Sequence, residues 1–236
     1  MSTSAREATS PPRPRWWHYV ANLAIRAVRV ELRIYESLGR AIARRPAIAA
    51  GARGFLYHRP VLTILIIFIV ISAIEIPVVD AIVHRWLPVR IGFLILGIWG
   101  VTWMIGLLCA YFMRPHTVGP DGIRVREGLE LDIPVAWSDI ASVEILHTTQ
   151  DEDKRRVFDE GDEWVCAVRI GHDTNLQIEF ERPLEIRLPG LEPRGGIHTV
   201  TKLRFWADDP RGLIAEGRKH INASDAPSPS ARPDRP

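Results

Sequence analysis

The stretches 61–79, VLTILIIFIVISAIEIPVV, and 91–113, IGFLILGIWGVTWMIGLLCAYFM, decide how the rest of this 236-residue chain is read. The first holds one ionisable side chain, Glu75, and the second holds none. About 20 apolar residues suffice for a helix to cross a bilayer, so both stretches are expected to span. Glu75 does not overturn this. Each Val, Leu, Ile and Phe contributes about −0.3 to −0.6 kcal/mol to insertion, and the first stretch has 14 of them, against about +3 kcal/mol for one buried acid. The whole-chain averages, 47% hydrophobic, 25% charged and a mean hydropathy of +0.01, would suit a soluble domain. They are the sum of an apolar middle and polar flanks.

Outward from the spans, charge divides by segment. Residues 1–59 carry 11 basic and 3 acidic side chains, whereas residues 114–236 carry 17 and 23. The link 80–90 is too short for a domain, so two antiparallel helices would leave both termini on one side. Arg40, Arg44, Arg45, Arg53 and Arg59 precede the first span, and Arg114, Arg124 and Arg126 follow the second. Only Arg85 and Arg90 stand in the link. The positive-inside rule therefore predicts a multi-pass protein of the cytoplasmic (inner) membrane with both termini in the cytoplasm. Tyr57, Trp86, Tyr111 and Phe112 sit where interfacial aromatics are expected. No cleavable signal peptide is evident, and the first span is expected to act as its own insertion signal.

Five segments are expected: a disordered tail at 1–14, a basic amphipathic helix and linker at 15–59, a transmembrane hairpin at 60–113, a folded domain at 114–222 and a disordered tail at 223–236. In the arm, one helix is predicted from Trp16 to Arg44. At 100° per residue Arg26, Arg29, Arg33, Arg40 and Arg44 fall within about 60° of one another, with Val20, Leu23, Val28, Ile34, Tyr35 and Ile42 on the other side. Such a helix can lie on the inner leaflet, its Arg stripe on lipid phosphates and Trp16 and Trp17 at the headgroups, making membrane lipids a partner. The alternative is that it docks on the protein's own second domain or on another protein, which would satisfy Glu31 within the apolar face.

After His116, short alternating runs separated by turn residues predict about seven antiparallel strands: 123–127, 129–133, 142–146, 164–170, 175–180, 184–188 and 199–206. The charged segment 151–162 reads as an exposed loop, with calcium binding a weaker alternative because Lys154, Arg155 and Arg156 stand among its acids. Asp209 can cap a closing helix that begins at Pro210. The fold class is thus α+β, with a curled sheet or barrel plugged by a C-terminal helix.

The segment GPDGIRVREGLELDIPVAWSDIASVE at 119–144 resembles the start of bacterial PH-like (pleckstrin-homology-like) domains, which often follow paired transmembrane helices. The resemblance rests on Gly122, Ile123, Val125, Ile133, Pro134, Trp137, Ile140 and Val143. The segment 201–221, TKLRFWADDPRGLIAEGRKHI, is similar to the last strand and C-terminal helix of that fold. Val135 and Ala136, inserted before Trp137, and the long acidic loop depart from the pattern. The resemblance implies a non-catalytic module at the cytoplasmic membrane face that binds proteins or self-associates. Lipid-headgroup recognition by this domain is not expected, since Arg124 and Arg126 stand among Asp121, Glu127 and Glu130.

No nucleophile-elbow, zinc-protease, phosphate-loop or Cys-x-x-Cys motif occurs, so no catalytic residue, metal site or cofactor is assigned. The acidic C-terminal region argues against nucleic acid. The eight His are dispersed and read as surface or turn residues, and Cys109 and Cys166 are not expected to pair. The expected function is scaffolding or regulation of a membrane complex through an unknown membrane or cytoplasmic protein partner. The alternative is a homo-oligomeric channel or transporter-accessory protein using the intramembrane Glu75, paired with Arg85, Arg90 or His84 or ringed with its copies. A membrane enzyme using Glu75, Asp80 and His84 is the weakest option, for want of a substrate pocket.

Overall fold

A computed structural model describes residues 16–149, 155–190 and 195–224. The expected N-terminal tail, the C-terminal tail from 225 on, the start of the acidic loop at 151–154 and the side chains of Trp16 and Trp17 lie outside the described residues, and α4 takes in the first two residues of the expected C-terminal tail. Three long helices come first: α1 (Trp16–Ile42), α2 (Arg59–Val83) and α3 (Leu87–Met113), with strand β1 (Arg53–Phe55) between α1 and α2. The helix α1 stops short of the expected Arg44, which turns into the left-handed region at φ 52° ahead of Pro46. Both α2 and α3 are long and apolar enough to cross a membrane. They form an antiparallel hairpin. Gly97 admits Ile76 so closely that a Cβ there would lie 2.8 Å from the Ile76 side chain.

Eight further strands follow, β2 (His116–Gly119), β3 (Gly122–Glu127), β4 (Leu131–Ala136), β5 (Ile140–Thr149), β6 (Val157–Glu160), β7 (Glu163–Val168), β8 (Asp173–Leu188) and β9 (Gly196–Phe205), and then α4 (Pro210–Ser224). They build two sheets, β1-β2-β3-β4 and β5-β8-β9-β7-β6, and neither closes into a barrel. The α+β class holds, and the strand list is corrected in four places. The strands β1 and β2 were not expected, and β6 lies inside the predicted acidic loop. The runs 175–180 and 184–188 are one strand, β8, interrupted by a register shift between Glu179 and Leu184. The pairing is not all antiparallel: β7 runs parallel to β9. Since β9 lies between β7 and β8, which run in opposite directions, it must be parallel to one of them.

The core is shared by the two sheets. Val118, Ile123, Val125 and Ile133 from the first meet Val168, Leu176, Ile178 and Phe205 from the second, and Leu213 of α4 closes the layer. Side chains alternate inward along β4, with Leu131, Ile133 and Val135 buried and Pro134 outward. Gly122 is required where β2 turns into β3, because its φ is +142° and a Cβ would stand 2.0 Å from the Val135 carbonyl oxygen. Trp137 donates from its indole N–H to the Gly119 carbonyl at 3.0 Å and packs against Gly217 of α4. Ile140 opens β5 and packs on the core. The carboxylate of Asp209 accepts the Gly212 N–H at 2.9 Å, the side-chain bond of an N-cap before Pro210.

Candidate functional site at the base of the helical hairpin

The first sheet is assembled across the helices. Phe55 of β1 pairs with His116 of β2, so α2 and α3 are inserted between two hydrogen-bonded neighbours. The residues that enter and leave the hairpin are therefore brought together, and their polar groups must find partners. Asp208, which follows β9, supplies several. Its carboxylate accepts the backbone N–H of His58 and of Arg59, each at 3.2 Å, and the Trp206 indole N–H at 3.1 Å, while its own N–H donates to the Leu56 carbonyl at 2.8 Å. An acid 150 positions away thus satisfies the orphan donors at the N-terminus of α2, where the helix dipole also favours negative charge.

His116 is fully enclosed beside this cap. Its Nδ1 accepts the Arg126 N–H at 3.0 Å, so Nε2 carries the proton and donates to the Trp206 carbonyl at 2.8 Å. Burial pushes its pKa down to about 4, leaving the ring neutral. The Tyr57 ring stacks on it at 4.5 Å, and the Tyr57 hydroxyl accepts the Gly128 N–H at 3.0 Å. Burial pushes that phenol well above its ordinary value. His58, its ring tilted 52° against Phe112 with centroids 4.2 Å apart, is likewise pushed down, because burial outweighs the attraction of Asp208. The reading of all eight His as surface or turn residues is therefore corrected for His58 and His116, which are buried. Each stands next to a helix end, where the chain turns into the sheet.

The arm α1 completes the junction. Ile34 is buried against Gly106 and Ala110 of α3 and against Leu129, with Val30, Trp103 and Leu107 around it. A Cβ at Gly106 would approach the Ile34 methyl to 2.3 Å. Glu31 accepts the Trp99 indole N–H at 3.0 Å, so its partner is the chain itself. The five Arg of the predicted stripe have different roles. Arg26 pairs with Glu130 at 2.6 Å, and the Arg33 and Arg114 guanidiniums both donate to the Leu129 carbonyl. Arg40 pairs with Glu36 in the same helix at 2.8 Å, while Arg29 and Arg44 have no partner among the described residues. The β3–β4 turn is thereby held between α1 and α3.

Glu75 lines a cleft of about 240 Å³ between α2 and α3, with Ser72, Asp80, Arg90, Gly97 and Gly100. The expected pairing with Arg90, Arg85 or His84 is not found. Arg90 instead holds Asp80 through two bonds of 2.5 and 2.9 Å, His84 Nδ1 lies 2.7 Å from the Ala81 carbonyl, and Glu75 has no polar partner among the described residues. Asp80 lies nearer the link between the helices, level with Arg90, and takes the cation first.

Elsewhere, Glu127 pairs with Arg156 at 2.7 Å, and its carboxyl is pushed up by burial. Cys166 is buried and its thiol pushed up to about 12, so it holds its proton and is no nucleophile at neutral pH. Among the described residues no group of three His, Cys, Asp or Glu side chains could hold a metal ion. What the junction does chemically is hold neutral and paired groups in place. The residues sequence reasoning missed are Tyr57, His58, Arg114, His116 and Asp208. The available signal was the Asp208-Asp209 pair, of which α4 needs only one as a cap.

Comparison with protein-family models, curated proteins and solved structures gives no match.

Proposed function

We propose that this chain is a two-span protein of the cytoplasmic membrane, with both termini inside, whose β domain is a non-catalytic, PH-like module that scaffolds or regulates a membrane protein complex. The observation that carries this reading is the inserted hairpin. Since β1 enters α2 and α3 leaves into β2, with Asp208 capping α2 and the Leu129 carbonyl bound by Arg33 and Arg114, the domain holds one orientation relative to the helices. A fixed domain suits presentation of a surface to a neighbouring protein better than a tethered, freely turning one. The proposed orientation is supported by charge. Arg44 and Arg45 precede α2 and Arg59 opens it, with Arg53 paired to Glu216, whereas on the far side Arg90 is neutralised by Asp80 and Arg85 remains. Two packed sheets with α4 against one end support the PH-like reading.

A second reading is favoured by one observation, the unpartnered Glu75 in its cleft. In that reading the chain is a homo-oligomer and Glu75 lines an ion pathway. The test for both is gentle extraction of the tagged chain from its native membrane followed by mass spectrometry of the intact assembly. The scaffold reading expects a second protein at fixed stoichiometry, kept in a Glu75→Gln variant. A homo-oligomer alone, whose cation conductance in planar bilayers is lost in Glu75→Gln, would replace it with the second reading.

A further inference from the structure

The helix α1 has three faces, and only two are accounted for. Taken at 100° per residue, the arc from Ser37 through Val30 to Ile34 packs on α3 and Leu129. The adjoining arc holds the Arg side chains, of which Arg26 and Arg33 reach the β3–β4 turn. The third arc holds Ile25, Val28, Leu32, Tyr35 and Ile42, all exposed, with Leu32 at 64% and Ile42 at 78%. This arc turns away from the β domain, because Arg26 and Arg33, which the domain binds, stand about 140° from its centre. From Ile25 to Ile42 it spans 18 residues, about 26 Å between the end Cα atoms. A continuous apolar stripe of that length is not left to water.

Two observations name its occupant. The first is continuity: α1 lies on α3, so the stripe adjoins the exposed apolar surface of Ile95, Ile98 and Trp99, which the proposed reading puts in lipid. Glu31, the acid at its border, is already bonded to Trp99. The second is charge. Arg29, on the polar side of the stripe, and Arg44 and Arg45, in the turn just beyond its C-terminal end, have no partner among the described residues. An apolar face bordered by unpaired guanidiniums complements a leaflet of anionic phospholipid, acyl chains inside and phosphates at the edge.

We propose that α1 is an in-plane element of the inner leaflet, with Ile25, Val28, Leu32, Tyr35 and Ile42 among the acyl chains and Arg29, Arg44 and Arg45 on anionic phospholipid phosphates. Arg26 and Arg33 on the same helix carry the β domain. The helix and the turn that ends it then divide their arginines in a way the sequence alone does not display: two hold protein and three hold lipid. The inference rests on the membrane-spanning reading above and goes beyond it.

The test uses the full chain with Cys109→Ala, reconstituted in phosphatidylcholine vesicles with and without one third phosphatidylglycerol. Spin labels are placed singly at Leu32, at Glu36 and, as a control on α2, at Ile67, and their accessibility to oxygen and to a polar nickel reagent is compared. The label at Leu32 is expected to match Ile67, open to oxygen and closed to nickel, with Glu36 showing the reverse. A Leu32 label open to nickel would put the stripe in water. One closed to both reagents would put a second copy or another protein on it. Either result overturns the proposal while leaving the spans intact, and an Ile67 label open to nickel would overturn the spanning reading itself. Phosphatidylglycerol is expected to lower nickel access at Leu32 several-fold, and Arg29→Gln/Arg44→Gln/Arg45→Gln to abolish that difference. Equal access in the two lipids would overturn the phosphate contact.

Discussion

His116 has one proton on its ring and a fixed place for it, between the Trp206 carbonyl and the Arg126 N–H. With the native pKa near 4 and the unfolded value near 6.5, the unfolded chain binds more protons between those limits. The contribution to stability is whole above pH 6.5 and falls away as the pH drops toward 4, by roughly 3 kcal/mol at 1.36 kcal/mol per pH unit. His58, also pushed down, acts in the same sense, and Glu127, pushed up, acts in the opposite one. The thermal midpoint in detergent should therefore fall steeply from pH 6.5 to 4.5. In a His116→Gln variant, which keeps a donor for the Trp206 carbonyl and takes up no proton here, the midpoint should be lower and the slope much reduced. A slope as steep as the parent's would assign it to other groups.

Between helices, the contact with least room is that of α1 on α3. Gly106 of α3 faces Ile34, which is wholly buried, and a methyl group there has nowhere to go. Gly106→Ala is expected to weaken the docking of α1 by about 1–3 kcal/mol, the usual range for overpacking. Amide hydrogen exchange should show it as faster exchange in α1 around Val30 to Ser37, with β8 and β9 unchanged. Adding Ile34→Ala removes the obstructing methyl and should restore part of the protection, since the two changes share one space. Unchanged exchange in Gly106→Ala would mean that α1 does not rest on α3. The ion pair Arg26–Glu130 is a smaller matter, half exposed on the Arg side, and an exposed pair is worth about 1 kcal/mol or less.

Across the whole molecule, the helical hairpin is an excursion from a β sheet. Phe55 and Tyr57, which precede α2, are buried with the domain that follows α3. A fragment of residues 114–224 would therefore lack both β1 and a core side chain whose loss alone costs about 3–5 kcal/mol. It is expected to aggregate or remain unfolded. Residues 46–58 joined to 114–224 through a short Gly-Ser linker, without α1, α2 and α3, should instead give a soluble, folded domain, because β1 and β2 are antiparallel neighbours already. Soluble yield and amide dispersion in an NMR spectrum compare the two. Equal folding of both fragments would show that β1 is dispensable.

The two apolar helices, the amphipathic period of α1, the Asp209 cap and the strands β3, β5, β7 and β9 are all legible in the sequence by itself, because each depends on side chains within a few positions of one another. The hydropathy of 61–79 and 91–113 needs no distant partner to be recognised, and neither does Pro210 after an Asp. Other features depend on groups far apart in the chain. That β1 exists at all follows from His116 and Val118 lying opposite it after an excursion of two helices; three residues without a partner carry no strand signal. The direction of β7 follows from β9 entering between β7 and β8. Which Arg of α1 meets protein follows from where Leu129 and Glu130 arrive, and Asp208 finds the N-terminus of α2 only once both sheets are packed. Periodicity along a chain reports which face of an element is apolar, whereas the partner of that face, and of each buried polar group, is set by contacts between distant segments. In this protein those contacts gather at the base of the hairpin, and there the tertiary structure decided what the sequence left open.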